Sequence, residues 1–238
     1  MELEVNIEYL SSIKALIKRY PSFAFLEKVK LEDRNDLCWD LSGKPCYEIQ
    51  VLFLGKTGYG KSTTINKIIG ENIFRTSEVE VCTKELHSAE YQINDSDYYF
   101  SLNDFPGIGE SEQADIKYLE WYREMLGRSP CVVYLLRADQ RDYSLDEALF
   151  QSLFPGEEDR KKVIIGLNFS DKVEPVNRHG GITKEQEAHL QEKVQIVKML
   201  FGVTHVIYYS AQEEINIDKL TGKIVNVVQS CFKNGNRG

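Results

Sequence analysis

The chain has 238 residues, 29 basic and 37 acidic side chains, a formal charge of −8 and 42% hydrophobic content. That length suits one ample domain or a domain with an appendage, the acidic balance works against general attraction to nucleic-acid backbones, and the longest apolar runs are far too short to cross a bilayer. Met1 to Glu4 is acidic where an export signal is basic, and five cysteines and four histidines lie scattered without metal or redox spacing, so the expectation is a cytoplasmic chain with reduced thiols and no encoded metal cage.

Between Glu2 and Arg19, Leu3, Ile7, Leu10, Ile13 or Lys14, and Ile17 recur at three- and four-residue spacings, which predicts an amphipathic helix. Tyr20-Pro21 interrupts it, and Pro21 opens a second helix through Phe23, Leu26 and Val29. Residues 33–44 lose periodicity, so 1–46 read as an N-terminal helical appendage that packs back on the domain, serves a partner or forms a dimer contact. From 47 to 238, apolar strands at 49–54, 86–93, 98–104, 131–136, 163–168 and 206–209 alternate with helices at 62–70, 115–126, 145–154, 184–200 and 217–232. This order predicts an α/β fold of three layers with a mostly parallel six-stranded sheet. The short turn Asn94-Asp95-Ser96-Asp97 makes its two flanking strands an antiparallel hairpin at the sheet edge.

The first of these strands runs into Gly55-Lys56-Thr57-Gly58-Tyr59-Gly60-Lys61-Ser62-Thr63, which meets the P-loop pattern G-x-x-x-x-G-K-[ST] between a strand and a helix. Glycines let consecutive N–H groups turn inward as a nest for phosphate oxygens; Lys61 adds a point charge, Ser62 offers a hydroxyl to Mg²⁺, and the helix turns its positive end to the anion. Thr83, with Thr76 and Ser77 as rivals, lies in the polar connector before the next strand and is read as the second hydroxyl for Mg²⁺. Asp104-Phe105-Pro106-Gly107 ends a strand about forty residues after the loop: Asp104 can hold the metal through water, and Gly107 lets a backbone N–H approach a terminal phosphate. Asn168-Phe169-Ser170-Asp171 ends a later strand, where guanine-specific folds carry N-K-x-D. The Asp171 carboxylate can accept two hydrogen bonds from guanine, and adenine cannot offer that pairing. Phe169 stands in place of the lysine and can cover a base, while Ser210-Ala211 closes the last strand with the Ala211 N–H placed for guanine O6.

With these boxes in order, residues 47–234 resemble the Era-like, septin-like branch of the P-loop GTPases, and DFPGIGESEQ, LLRADQRDYSLDE and NFSDKVEP resemble little-characterised bacterial GTP-binding proteins of prophage or genomic-island type. The resemblance implies a Ras-like fold, Mg²⁺-dependent GTP binding and hydrolysis, a switch between GTP and GDP states, an effector it does not name, and dimerisation across the nucleotide face. Gly58 stands where potassium-activated relatives carry asparagine, and Ile108 stands where Ras-like switches hold a water-orienting glutamine. Hydrolysis is therefore expected to be slow alone and to need a backbone rearrangement, a partner or a second copy, with Arg75 and Arg137 as candidate cations acting in trans. A GTP-dependent binding module with incidental turnover is the alternative, and an adenine-specific ATPase a lesser one.

Overall fold

Cys131–Arg137 and Val163–Asn168 carry almost no residue that tolerates water, and both are buried along nearly their whole length, as central strands covered on two faces must be. The computed structural model describes residues 5–29, 37–39, 45–75, 86–108, 112–177 and 180–235. In chain order these form β1 (Val5–Ser12), α1 (Ile13–Arg19), a 3₁₀ segment (Pro21–Lys28), β2 (Leu37–Trp39), β3 (Pro45–Leu54), α2 (Lys61–Ile69), β4 (Leu86–Ile93), β5 (Tyr98–Asp104) and α3 (Glu112–Leu126). There follow β6 (Cys131–Arg137), α4 (Ser144–Leu153), α5 (Glu157–Arg160), β7 (Val163–Asn168), α6 (Lys184–Phe201), β8 (His205–Tyr208) and α7 (Ile217–Gly235). Seven strands run in the order β1-β4-β5-β3-β6-β7-β8, and β2 pairs antiparallel with the start of β3. Among the other described pairs, only β4 with β5 is antiparallel.

Helices cover both faces. Val133 and Gly166 face Tyr209, whose hydroxyl meets Thr64 of α2 at 2.9 Å, whereas neighbouring Tyr134 points the other way, against Phe150 and Phe154 of α4. Helices α2, α3, α4, α6 and α7 and the strands from β3 onward lie within a few residues of the sequence expectation, whereas the short α5 falls outside it.

Two expectations need correction. Residues 2–19 do not form one helix, because Val5–Ser12 is a strand parallel to β4 and only Ile13–Arg19 is helical. Ile7 and Tyr9 turn inward at period two, Tyr9 stacks 5.7 Å from Tyr91, and Leu10, counted on the helical stripe, is 58% exposed. The open edge of β4 supplies the backbone partners that decide the matter, since an unpaired edge is a template for another strand. For the same reason the hairpin of β4 and β5 is not at the edge. Ile13, Leu16, Phe23 and Leu26 are buried in the same core as the sheet, with Phe23 edge-on to Phe100 at 5.3 Å.

Part of one face of β3, β5 and β4 is polar: Gln50, Ser101 and Glu90 share one row in register, Asn103 and Ser88 pair in the next, and Glu48 lies two residues from Gln50 on β3. Burial first and neighbouring Glu48 second push the Glu90 carboxyl from its ordinary 4.5 up to about 7. A raised carboxyl favours the protonated form in the fold, so its contribution is complete below pH 4.5 and is lost as pH rises through 7. Glu90→Gln, which stays neutral, is expected to be more stable than the parent by on the order of 1–2 kcal/mol at pH 8, after solvent screening, and by much less at pH 5. Urea unfolding at the two pH values measures this, and an equal difference at both would refute it.

Candidate nucleotide site

Gly60 caps α2 in a left-handed conformation, φ 86°, with no side chain on the cap, so the first N–H groups of the helix face the loop that precedes it. A Cβ at Gly60 would run into the Asn168 amide, which is why only glycine fits. Lys61 folds back under the loop, 6% exposed, its Nζ donating to the carbonyls of Gly55 and Lys56 at 3.2 Å each. Ser62 Oγ donates to Asp104 Oδ2 at 2.5 Å, so the loop hydroxyl and the carboxylate from the β5 tip share one spot at the start of α2.

Phe105, packed 5.3 Å from Tyr122, and the Tyr122 hydroxyl on the Pro106 carbonyl at 2.7 Å fix the segment after β5. Gly107 lies directly on Thr57, where any Cβ would overlap the Thr57 backbone, and Thr57 N–H donates to the Ile108 carbonyl at 3.1 Å. Thr83, Thr76 and Ser77 lie outside the described residues.

Asn168 joins three loops. Its Nδ2 donates to the Tyr59 carbonyl at 3.1 Å, and its Oδ1 accepts from Phe169 N at 2.9 Å and from Ala211 N at 3.0 Å. The N–H groups of Phe169 and Ala211 thus supply the donors that a buried amide oxygen requires, Asn168 being 2% exposed. Ser210, also buried, accepts from Glu213 N through its hydroxyl. Asp171 Oδ1 and Thr57 Oγ1 are buried without a hydrogen-bond partner among the described residues.

Three residues that the sequence reading passed over shape the site. Gln186 of α6, fully buried, donates to the carbonyls of Ser170, Asp171 and Val173 and holds the 170–173 turn; its capping box with Thr183 was a legible signal. Asp146 of α4 is completely buried, and its Oδ2 meets Lys56 Nζ at 3.1 Å, Gln140 Nε2 at 2.9 Å and the Tyr59 hydroxyl at 3.3 Å. Burial first and Asp146 second hold that hydroxyl well above the ordinary phenol range, which keeps it a donor. The signal for Asp146 was a carboxylate on the apolar stripe with Phe150 and Leu153. Gln140 completes the cluster by accepting from the Tyr59 hydroxyl at 2.9 Å.

Residues 50–169, half of the chain, match the family model described as 50S ribosome-binding GTPase. The chain belongs to the 50S ribosome-binding GTPase family. Within this GTPase family it is similar to uncharacterized protein YkfA of Escherichia coli K12, at 34% identity over 161 residues, covering 68% of this chain and 55% of that protein. The chain spans about half the length of the relatives it matches first. Among solved structures it resembles Era in complex with MgGDPNP and nucleotides 1506–1542 of 16S ribosomal RNA, with TM-score 0.60, 21% identity, and coverage of 76% of this chain and 57% of that one. It also resembles a structure from work on the chloroplast translocon components atToc33 and psToc159, for whose GTPase activity dimerization is important, with TM-score 0.61, 19% identity and coverage of 90% and 89%. At these identities the structural likeness establishes the Ras-like GTPase fold.

Proposed function

We propose that this chain binds GTP with Mg²⁺, hydrolyses it to GDP and phosphate, and works as a nucleotide-dependent switch. The observation that carries this reading is the convergence of Lys61, Ser62, Asp104 and Gly107 on one loop-helix junction, with Asn168 beside it. The hydroxyl and carboxylate at that junction are oxygen donors that suit a small divalent cation, and Mg²⁺ held by Ser62 and Asp104, with Thr83 as the proposed third group, supplies charge neutralisation on phosphate oxygens. Lys61 and the loop amides bind the phosphates, the Gly107 N–H meets the terminal one, and water attacks the γ-phosphorus in line as the bond to the bridging oxygen breaks. The unpartnered Asp171 Oδ1 suits the N1–H and amine of guanine.

Ile108 favours slow turnover, because an aliphatic side chain offers water no hydrogen bond. Activation by a second copy across the nucleotide face, in line with the importance of dimerization for the GTPase activity of atToc33 and psToc159, gives turnover per molecule that rises with protein concentration. Negligible turnover at every concentration would instead favour the GTP-dependent binding module. Arg137, one candidate for a cation in trans, has its Nε and Nη2 on Asp139 at 3.0 and 2.8 Å.

Base choice is tested by Asp171→Asn. Two hydrogen bonds to a charged acceptor contribute about 1.5–3 kcal/mol each, so GTP affinity is expected to fall about 10²- to 10⁴-fold. ATP that displaced labelled GTP from the parent protein as well as GTP itself does would sink the guanine assignment.

A further inference from the structure

Phe169 is the irregular member of the base-reading turn. It is a bulky residue held in the left-handed region, φ 62° and ψ 34°, a conformation that aromatic side chains adopt only when their surroundings impose it. Its ring lies half-buried between the turn and the P-loop, with Cζ 3.8 Å from where a Cβ of Gly60 would stand. A phenyl ring has no hydrogen bond with which to lock itself, so something else must set its plane.

The Arg137 guanidinium lies 4.2 Å from the ring centroid, and Lys172 Nζ lies 5.0 Å from it. Of the two, Arg137 is the fixed one. It ends β6 directly opposite Asn168 in register, and its carbonyl accepts from the Tyr143 hydroxyl at 2.8 Å. Its Nε and Nη2 grip the Asp139 carboxylate as a two-point fork, which leaves the planar face of the cation for the ring. A cation over an aromatic face is attracted by the ring quadrupole, and a flat guanidinium also stacks on it.

We propose that Arg137, gripped by Asp139, is a positioning residue that sets the plane of the Phe169 ring beside the P-loop, and through that ring fixes how long a guanine nucleotide stays and how firmly its base meets Asp171. This rests on the nucleotide reading above. A ring held in one plane presents a ready surface to a base, whereas a ring free to rotate must be ordered again with each binding event, which weakens binding and speeds release.

The test compares the full chain with Arg137→Met, which keeps the length and removes the cation, with Arg137→Lys, with Phe169→Leu, and with Phe169→Leu combined with Arg137→Met. The probes are a fluorescent GDP chased by unlabelled GDP, and the affinity ratio of GDP to inosine diphosphate, which lacks the amine that Asp171 would accept. Arg137→Met is expected to speed release about tenfold and to shrink the ratio, with Arg137→Lys in between and unfolding midpoints unchanged. In the Phe169→Leu background, Arg137→Met should change release less than twofold, because the cation then has no ring to act through. An unchanged release rate and ratio in Arg137→Met, or the same tenfold change with and without the ring, would overturn the proposal. Failure of the parent protein to bind GDP at all would instead overturn the nucleotide reading, and this inference with it.

Discussion

Lys61→Ala is expected to abolish measurable GTP binding and turnover, a loss of three orders of magnitude or more in affinity or rate, while leaving the nucleotide-free protein folded. Lys61 is 6% exposed and lies directly beneath the loop, with its ammonium on the Gly55 and Lys56 carbonyls. A charge-assisted contact to phosphate in so dry a place is far stronger than one in water, and a preorganised cation needs no rearrangement as charge develops during transfer. The Lys56 carbonyl keeps a second donor, Tyr59 N–H at 3.3 Å, so the unfolding midpoint without nucleotide should move by no more than a few degrees. Titration calorimetry reads the binding. A thermal scan reads the control, because GTP should raise the midpoint of the parent by mass action and leave that of the variant unmoved. Parent-like affinity in Lys61→Ala would refute the assignment of the phosphate site.

Asp146→Ala is the largest expected stability effect. The carboxylate is fully buried and receives Lys56 Nζ, Gln140 Nε2 and the Tyr59 hydroxyl on one oxygen. Removal leaves an ammonium whose side chain is only 23% exposed without its counter-charge, together with two polar groups short of a partner. Breaking a buried pair from one side costs about 3 kcal/mol or more, which for a chain of this size lowers the unfolding midpoint by about 6–12 °C. Since Lys56 and Tyr59 lie inside the phosphate loop, GTP affinity should fall as well. Asp146→Leu combined with Lys56→Met should recover most of the stability, because it removes both charges and fills the space. A loss below 1 kcal/mol in denaturant unfolding of Asp146→Ala would show that the cluster does not brace the loop.

What could be read from the residues was whatever a short window decides. Gly55 to Thr63 announces its own shape, Asp104 and Asn168 sit at the tips of strands whose apolar runs are unmistakable, and the helices from α2 onward carry clear stripes. Residues 5–12 mislead because Leu3, Ile7 and Leu10 fit a helical period while Ile7 and Tyr9 fit a strand period, and the choice is made by β4, which no local window contains. The bond from Ala211 N–H to Asn168 Oδ1 is hidden for a similar reason, since it joins two loops far apart in the chain. The Asp146 cluster joins side chains some 90 positions apart, so the anomaly of a carboxylate on an apolar stripe is visible but its partner is not.

The parallel pairing of β1 with β4 also sets a timetable. Val5 bonds opposite Leu86, and the ladder continues from there to Ser12 opposite Gln92, so a contact of about 80 residues' separation closes one side of the sheet. Such closure is entropically late. On a ribosome the first strand emerges long before the strand it pairs with, and at ordinary elongation rates it waits several seconds for β4 to be made. During that interval Ile7 and Tyr9 have no sheet to join, and the polar residues that alternate with them, Asn6 and Glu8, work against pairing of the waiting segment with another nascent chain. Polar residues on the outer side of the strand thus suit this stretch to arriving early and docking last.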